Sequence, residues 1–298
     1  MDLKAALTDY KIGGIGDIKK HTLRFHSYRM GTEDGKLMIY GQCEPGQLPN
    51  VYKGYPSGQE LLLDLCNLHL ELRGRTLQES AGILIRWSME NIHPYYYYGD
   101  DALYMEFSAE SPEGYWDHMV NVLELYHVAV ADMVRDLDRL YTDTMTVFAV
   151  RKLMDGEVAE AQRLYENVRV AEQDNLMFKW FRAPVKRRAL VIKEAVDKLP
   201  KLSMSLEYDL ADGQLKMQPA VCSVIDAAYY GLSRFAAVDV GTLDDYGGKT
   251  NIAFCQACGR AFIKTGNRQK YCGDPLCQSI RNKRKSSDYY YRKKQGEQ

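Results

Sequence analysis

A cysteine-rich stretch near the end of the chain decides how the molecule is organised: residues 255–277 read CQACGRAFIKTGNRQKYCGDPLC. The four cysteines, Cys255, Cys258, Cys272 and Cys277, follow the spacing C-x2-C-x13-C-x4-C. Two close pairs at this separation are able to place four thiolates in a tetrahedron around one zinc ion. Because four cysteines complete that shell, the spacing predicts one structural zinc per chain and no open catalytic position on it.

The residues between these cysteines predict the local fold. Gly259 suits the left-handed backbone that a zinc knuckle requires. Residues 260–271 have the length of a β-hairpin, with Gly266-Asn267 as its turn. Asp274-Pro275 is a typical N-cap and first position of a helix, which places Cys277 in the first turn. Knuckle, hairpin and helix together predict a treble-clef zinc finger. Its expected small core consists of Phe262, Tyr271, Leu276 and Ile280.

Other interpretations of these cysteines stay open. Two disulfides would require an oxidising compartment, which nothing in the sequence indicates. An iron–sulfur cluster is also compatible with four thiolates, whereas a redox pair of Cys255 and Cys258 would leave the second pair unexplained. None of the six histidines lies after residue 127, which disfavours the histidine-dependent nuclease chemistry of some treble-clef proteins. The scattered Cys43, Cys66 and Cys222 are expected to be buried thiols.

The charge is distributed unevenly along the chain. The formal net charge of the 298 residues is -1. Residues 251–298 contain 11 basic and 3 acidic side chains, a charge of +8, while residues 1–250 carry −9. Such asymmetry indicates a basic surface for a polyanion on the finger and an acidic body that avoids one.

The segment after Cys277 combines cations with tyrosines. Long cations at helical spacing are able to reach phosphates, and arginine also reads guanine edges in the major groove. This pattern predicts nucleic-acid binding with duplex DNA favoured. Tyrosines among cations also stack on unpaired bases, which keeps RNA or single-stranded nucleic acid open, as does a merely solvated basic helix. The candidate contact residues are Arg260, Lys264, Arg268, Lys270, Arg281, Arg284, Lys285, Tyr289 and Arg292.

The rest of the chain predicts an α+β fold, with a mostly α-helical body (residues 1–250), two small β-hairpins, and the finger at 251–298. The first hairpin is predicted around Leu23–Tyr40, turning at Asp34-Gly35, and the second around Met204–Met217, turning at Asp212-Gly213. Capping boxes start helices at Ser57 and at Thr76. Further helices are expected at about 144–154, 157–180, 185–198 and 221–235.

A long helix is predicted over 112–141, because Ser111-Pro112 is a start signal and apolar residues then recur at heptad spacing. Two interpretations of this seam stay open: a homodimer interface, or a central core helix, which is the commoner use of such a stripe. The apolar residues of the seam are Trp116, Met119, Leu123, Tyr126, Val130, Met133, Leu137 and Leu140.

Composition and motifs exclude several classes of protein. With 46% hydrophobic and 27% charged residues, the chain is an ordinary globular one. The N-terminus has no apolar region typical of a signal peptide, and no run approaches the roughly 20 apolar residues of a membrane span. A cytoplasmic protein without membrane contact is therefore expected. No phosphate-binding glycine loop, metallohydrolase histidine pair or nucleophile elbow occurs, so we expect no enzyme and no catalytic residues.

The finger resembles a known family. Cys255-x-x-Cys258-Gly259-Arg260-x-Phe262, then Tyr271-Cys272 and Cys277 before a basic helix, is similar to the CGNR zinc finger. That finger closes a group of bacterial transcription regulators whose N-terminal domain is called ABATE, which Glu60–Asn67 resembles faintly. The resemblance implies a zinc-dependent DNA-binding finger on an α-rich regulatory body. Here, Cys277 is followed by Gln-Ser-Ile rather than by the Gly-Asn-Arg of the family.

These observations favour a bacterial DNA-binding transcriptional regulator. Two alternatives stay open. One is a protein that binds RNA or single-stranded nucleic acid. The other is a protein-interaction adaptor in a defence or mobile-element system, whose finger would dock an acidic partner.

Overall fold

The computed structural model has an α+β fold, as predicted. The chain divides into two compact units, Met1–Val238 and Asp239–Gln298, a boundary twelve residues before the predicted one between body (1–250) and finger (251–298). The structure describes residues 23–42, 50–51, 58–91, 94, 127–166, 168–201, 204–209, 214–219, 223–237, 252–266 and 268–296.

Helices dominate the described part of the body, and every sheet there is small and antiparallel. None of the described helices has the length and apolar character that crossing a bilayer requires. The helices are α1 Gly58–Leu72, α2 Leu77–Glu90, α3 Val130–Met154, α4 Val158–Tyr165, α5 Leu176–Arg182, α6 Arg188–Asp197, α7 Val224–Ala237 and α8 Pro275–Gly296. The strands are β1 Leu23–Arg24, β2 Ser27–Glu33, β3 Lys36–Gln42, β4 Asn50–Val51, β5 His127–Ala129, β6 Met204–Asp209, β7 Gln214–Pro219, β8 Ile252–Phe254 and β9 Ala261–Ile263.

Both predicted hairpins of the body are present. Strands β2 and β3 pair antiparallel with Glu33 opposite Lys36, and the turn residues Asp34 and Gly35 have φ values of 49° and 75°. Two successive left-handed residues are what a tight two-residue hairpin requires. The first strand of this hairpin begins at Ser27, later than predicted, because Leu23–Arg24 pairs with β4 instead. Strands β6 and β7 form the second hairpin, whose turn lies outside the described residues.

Local backbone and side-chain features explain where α1 ends and where α2 begins. Gly74, with φ of 78°, follows the end of α1. At the start of α2, Thr76 accepts a hydrogen bond from the backbone N–H of Glu79, and the Glu79 carboxylate accepts one from the N–H of Thr76. This capping box satisfies two of the donors that a helix start leaves unpaired. The cap proposed at Ser57 lies outside the described residues.

The prediction of one continuous helix over 112–141 is wrong. His127–Ala129 is a strand, β5, which pairs with the centre of β3, and the helix α3 starts only at Val130 and continues to Met154. Heptad spacing could not show this break, because the partner strand of β5 lies almost 90 residues earlier. Residues 101–126, with the first half of the seam, lie outside the described residues.

The described half of the seam belongs to the core of the body. Val130, Met133, Leu137 and Leu140 are all fully buried within the chain. These four side chains are therefore core residues rather than the exposed surface that a homodimer would use. Helices α1, α2, α4 and α7 pack around α3, and α7 also packs on α1.

The region predicted as one helix over 157–180 is interrupted. Helix α4 ends at Tyr165, a short 3-10 turn spans Glu172–Asp174, and α5 starts at Leu176. The side chain of Asn175 accepts a hydrogen bond from the N–H of Phe178, so this residue is the N-cap of a new helix. A side chain that caps a helix start favours a break before it, which apolar periodicity alone does not show.

The core of the body contains a histidine in an unusual setting. The ring of His69, on α1, stacks on the ring of Tyr141 with centroids 4.5 Å apart. Burial lowers the pKa of His69, and the carboxylate of Asp138, 3.8 Å from its Nε2, opposes this shift only in part. Cys66, a neighbour on α1, is a buried free thiol, as predicted.

Candidate metal centre

The first pair of cysteines lies in the turn that joins β8 and β9. Strand pairing sets Phe254 opposite Ala261, and the N–H of Cys255 donates to the carbonyl of Arg260. The N–H of Gly259 donates to the carbonyl of Cys255, and Gly259 has φ of 76°, the left-handed conformation predicted for a knuckle. Because the cysteines lie in this tight turn, their thiols point to the same place.

The prediction of a hairpin within 260–271 is therefore wrong, because its first strand pairs with a different segment. The partner of β9 is β8, which precedes the knuckle, and not a strand that follows residue 264. The described residues between β9 and Cys272, 264–266 and 268–271, instead form a loop in which the N–H of Gln269 donates to the carbonyl of Gly266, and Asn267 of the predicted turn lies outside the described residues. The N–H of Gln256 donates to the carbonyl of Lys270, which ties this loop to the knuckle and brings Cys272 beside it.

Helix α8 supplies the fourth cysteine, as predicted. One carboxylate oxygen of Asp274 accepts hydrogen bonds from the N–H groups of Leu276 and Cys277, at 2.8 and 3.3 Å. Asp274 is thus the N-cap, and Pro275 is the first helical residue, where the missing N–H costs nothing. The helix start fixes Cys277 in the first turn, where the helix dipole favours an anionic sulfur.

The four cysteines converge as predicted. Their sulfur atoms all lie within 4.8 Å of one another, and the Sγ atoms of Cys258 and Cys272 are 3.8 Å apart. The tetrahedron that four sulfurs form at 2.3 Å from one metal ion has an edge of about 3.8 Å. All described cysteines are free thiols, so the disulfide alternative is not what the structure shows.

The surroundings of the cluster differ in part from the prediction. Cys255, Cys272 and Cys277 are buried and Cys258 is exposed. Ala257, Phe262 and Tyr271 pack against the buried sulfurs. The other two residues expected in this small core are not there, since Leu276 is 76% exposed and Ile280 is 39% exposed.

The thiols have perturbed pKa values. Burial raises the pKa of Cys255, but hydrogen bonds from the N–H groups of Cys258 and Cys272 outweigh it and bring the value to about 7. Burial raises the pKa of Cys277 and, more modestly, that of Cys258. A bound cation opposes this effect of burial, because its positive charge stabilises each cysteine as the thiolate. The chemistry of the donor set is therefore that of a closed four-thiolate metal site.

Five of the nine residues predicted to contact nucleic acid line one cleft of about 1020 Å³ on the finger. The cleft lies between the loop 265–271 and the exposed face of α8. Among the lining residues that the structure describes, none carries a carboxylate. The five cations are Arg268, Lys270, Arg281, Arg284 and Lys285.

The other four candidates lie elsewhere or cannot be placed. Arg260 is exposed at the end of the knuckle, and Lys264 is half-buried after β9; neither lines the cleft. Tyr289 is 71% exposed further along α8. The side chain of Arg292 lies outside the described residues.

Glutamines that the sequence interpretation missed hold the cleft in shape. Gln278 donates to the carbonyl of Cys272 and accepts from a guanidinium nitrogen of Arg281, at 2.9 Å. Gln269 accepts from the N–H and hydroxyl of Thr265 and donates to the carbonyl of Tyr271. The three-residue spacing of Gln278 and Arg281 is a signal for the first contact, whereas no sequence pattern announces the role of Gln269.

The finger therefore joins two chemical features. One is a cluster of thiols with the dimensions of a tetrahedral metal site. The other is a cationic cleft, and its lining on α8 begins at Gln278, directly after Cys277. No known protein-family model, curated protein or solved structure matches this chain.

Proposed function

We propose that residues 255–277 bind one zinc ion, and that the finger folded by this ion binds nucleic acid, with duplex DNA favoured. In this proposal the protein is a bacterial transcription regulator, and the acidic body carries the regulatory part. The observation that supports nucleic-acid binding best is the cleft in which five cations converge and no described lining residue carries a carboxylate.

Zinc is the metal that the donor set favours. Four thiolates in tetrahedral geometry are typical of zinc or of iron–sulfur centres. Three of the sulfurs are buried among apolar side chains, and the sulfur separation of 3.8 Å fits a single ion with metal–sulfur bonds near 2.3 Å. With all four positions taken by protein, the ion has a structural role.

The electrostatics support a polyanionic ligand. Five cations within one cleft repel one another, and the only acidic side chain that the structure describes in the finger, Asp274, is already engaged as a helix cap. A phosphate backbone relieves this repulsion and releases its own counterions, which is the main source of affinity in protein–nucleic acid complexes.

Duplex DNA is favoured because of α8. This helix is 22 residues long, and its described side chains from Arg281 to Ser287 are all exposed. A helix about 10–12 Å across fits the roughly 12 Å width of the major groove. The resemblance to the CGNR finger of bacterial transcription regulators points the same way.

A second candidate, binding of single-stranded nucleic acid or RNA, is favoured by one observation. Tyr289, Tyr290 and Tyr291 are 71%, 63% and 62% exposed. Aromatic side chains that water reaches freely are available to stack on unpaired bases. Competition of duplex DNA against single strands of the same length, measured on the intact chain, separates the two candidates.

The test of the proposed function is a fluorescence-anisotropy titration of the intact, zinc-loaded chain with labelled duplex DNA across a range of salt concentrations. The logarithm of the binding constant should fall linearly with the logarithm of the salt concentration. The chain lacking residues 251–298 should lose the binding. Affinity that does not change with salt, or that survives this deletion, would refute the proposal. Elemental analysis should find about one zinc per chain.

A further inference from the structure

We infer that the cleft between loop 265–271 and α8 receives the sugar–phosphate backbone of one strand of a DNA duplex, while the exposed face of α8 beyond it lies in the major groove. This inference rests on the proposed function and names the part of the ligand that the cleft binds. It distinguishes the role of Arg268 and Lys270, on the loop, from the role of the helix.

The two walls of the cleft are fixed relative to each other. Arg284, on the helix, donates a hydrogen bond of 3.1 Å to the hydroxyl of Tyr271, on the loop, and its guanidinium lies 6.0 Å from the centroid of that ring. Gln278 joins the helix to the carbonyl of Cys272. The cleft is thus a preformed concavity rather than a flat basic surface, and a preformed site avoids part of the entropic cost of binding.

The cations of the cleft fall into two groups. Arg281 and Arg284 are oriented by Gln278 and Tyr271, respectively. Arg268, Lys270 and Lys285 make no ion pair with any carboxylate in the part of the chain that the structure describes, and all three are exposed. All the described charged side chains of this cleft are cations, and some of them are held in place while others are unpaired. Such a site favours a ligand with several neighbouring negative charges.

The width of the major groove decides which part of a duplex meets the loop. A helix that lies in the groove fills it, because the helix diameter and the groove width are both about 12 Å. Whatever projects beside that helix must then lie over the ridge that borders the groove, and this ridge is one sugar–phosphate strand. Loop 265–271 projects beside α8, and the cleft between them is the space that the ridge would occupy.

Charge-neutral variants of the intact chain test the inference. In the cleft variant, Arg268→Gln and Lys270→Gln are combined. In the control variant, Lys36→Gln and Lys201→Gln remove the same charge from the body. Both control residues are exposed and belong to the body rather than to the finger. Since all four residues are exposed, neither pair should disturb folding of the finger.

The expected result is a difference in salt dependence. Each phosphate contact contributes about 0.9 to the slope of log K against log salt for duplex DNA. The cleft variant should lose about 1.8 from this slope. Its affinity for duplex, relative to that of the unmodified chain, should therefore be about 60-fold lower at 0.1 M salt than at 1 M salt. The control variant should keep the slope of the unmodified chain. The variant Arg268→Lys with Lys270→Arg, which retains both charges, should also keep it.

Other outcomes overturn the inference, and they separate it from the proposed function. If both neutral pairs weaken salt-dependent duplex binding equally, the cleft has no special role although the function stands. If the cleft variant loses more affinity for single strands than for duplex, the cleft binds an unpaired strand and the inference is wrong. If the unmodified chain shows no salt-dependent binding of duplex, the proposed function fails and the inference fails with it.

Discussion

Removal of one cysteine from the finger should strongly weaken metal binding and leave the body unchanged. Cys277→Ala deletes the ligand that the first turn of α8 contributes. The matched control is Cys66→Ala, which deletes a cysteine of the body that is equally buried but lies outside the sulfur cluster. Burial raises the pKa of Cys66 to about 12, so it remains a neutral thiol and a poor metal ligand at neutral pH.

The size of the effect follows from the geometry. The four sulfur atoms lie within 4.8 Å of one another, so each is placed to contribute one bond of similar length. Structural zinc binds its site with an apparent free energy of about 10–16 kcal/mol, of which one ligand in four represents roughly 3 kcal/mol. Cys277→Ala should therefore weaken zinc binding by a factor on the order of 100 or more, and Cys66→Ala should not change it.

Two measurements check this prediction on the intact chain. Competition with a chromophoric zinc chelator gives the change in affinity. Circular dichroism gives the structural consequence, because α8 loses its anchored first turn and isolated helices are marginal in water, so up to 22 residues of helix disappear. All three tryptophans lie before residue 181, so their fluorescence reports unfolding of the body alone. That signal should not respond to the loss of zinc.

The prediction also has clear refutations. If Cys277→Ala binds zinc as tightly as the unmodified chain, the sulfur of Cys277 is not a ligand. Equal loss of zinc from both variants would mean that binding depends on the fold in general rather than on this cluster. Cobalt offers an independent view, since replacement of zinc by cobalt should give the visible absorption of a tetrahedral thiolate site, and Cys277→Ala should lose it.

Three further predictions concern single residues. Gly259→Ala forces a side chain into a backbone with φ of 76°, at a cost of about 1–2 kcal/mol, so the chelator competition should show roughly 5- to 30-fold weaker zinc binding. Thr76→Ala removes the cap of α2 and should lower the free energy of unfolding of the body by about 1 kcal/mol, measured by tryptophan fluorescence in urea, with zinc affinity unchanged. Burial lowers the pKa of His69, so as the pH falls this imidazole is protonated in the unfolded chain before it is protonated in the folded one. The free energy of unfolding of the body should therefore fall as pH decreases below about 6.5. The variant His69→Gln should show a smaller decrease over the same range.

Local signals in the sequence predicted much of this structure. The capping box at Thr76, the left-handed Gly259 and the cap at Asp274 each depend on residues within three or four positions of one another. The four metal-ligand candidates were predictable for a related reason, since the spacing of two close pairs is itself the recognition signal. What these features share is that the physical cause and its effect lie next to each other in the chain.

The errors concern pairings between distant segments. Strand β5 contains only three residues, and its partner β3 precedes it by almost 90 positions, so the apolar stripe before and after it was interpreted as one helix. Strand β9 was predicted to pair forward, whereas it pairs back across the knuckle with β8. The cleft could not be predicted either, because it exists only when Tyr271 and Arg284, thirteen positions apart, meet.

The described contacts that join helix α8 to the knuckle and the loop all lie in its first half. Its first turn carries Cys277, and Arg284 makes the last described contact with the loop, after which Lys285–Ser287 and Tyr289–Tyr291 are exposed. Amide hydrogen exchange should therefore become faster from Cys277 towards Tyr291, as end fraying grows with distance from the anchored turn. A polyanion that neutralises the neighbouring cations should slow this exchange first in the last turns of the helix. DNA binding would then order these turns, and part of the binding free energy would offset the conformational entropy that the helix loses.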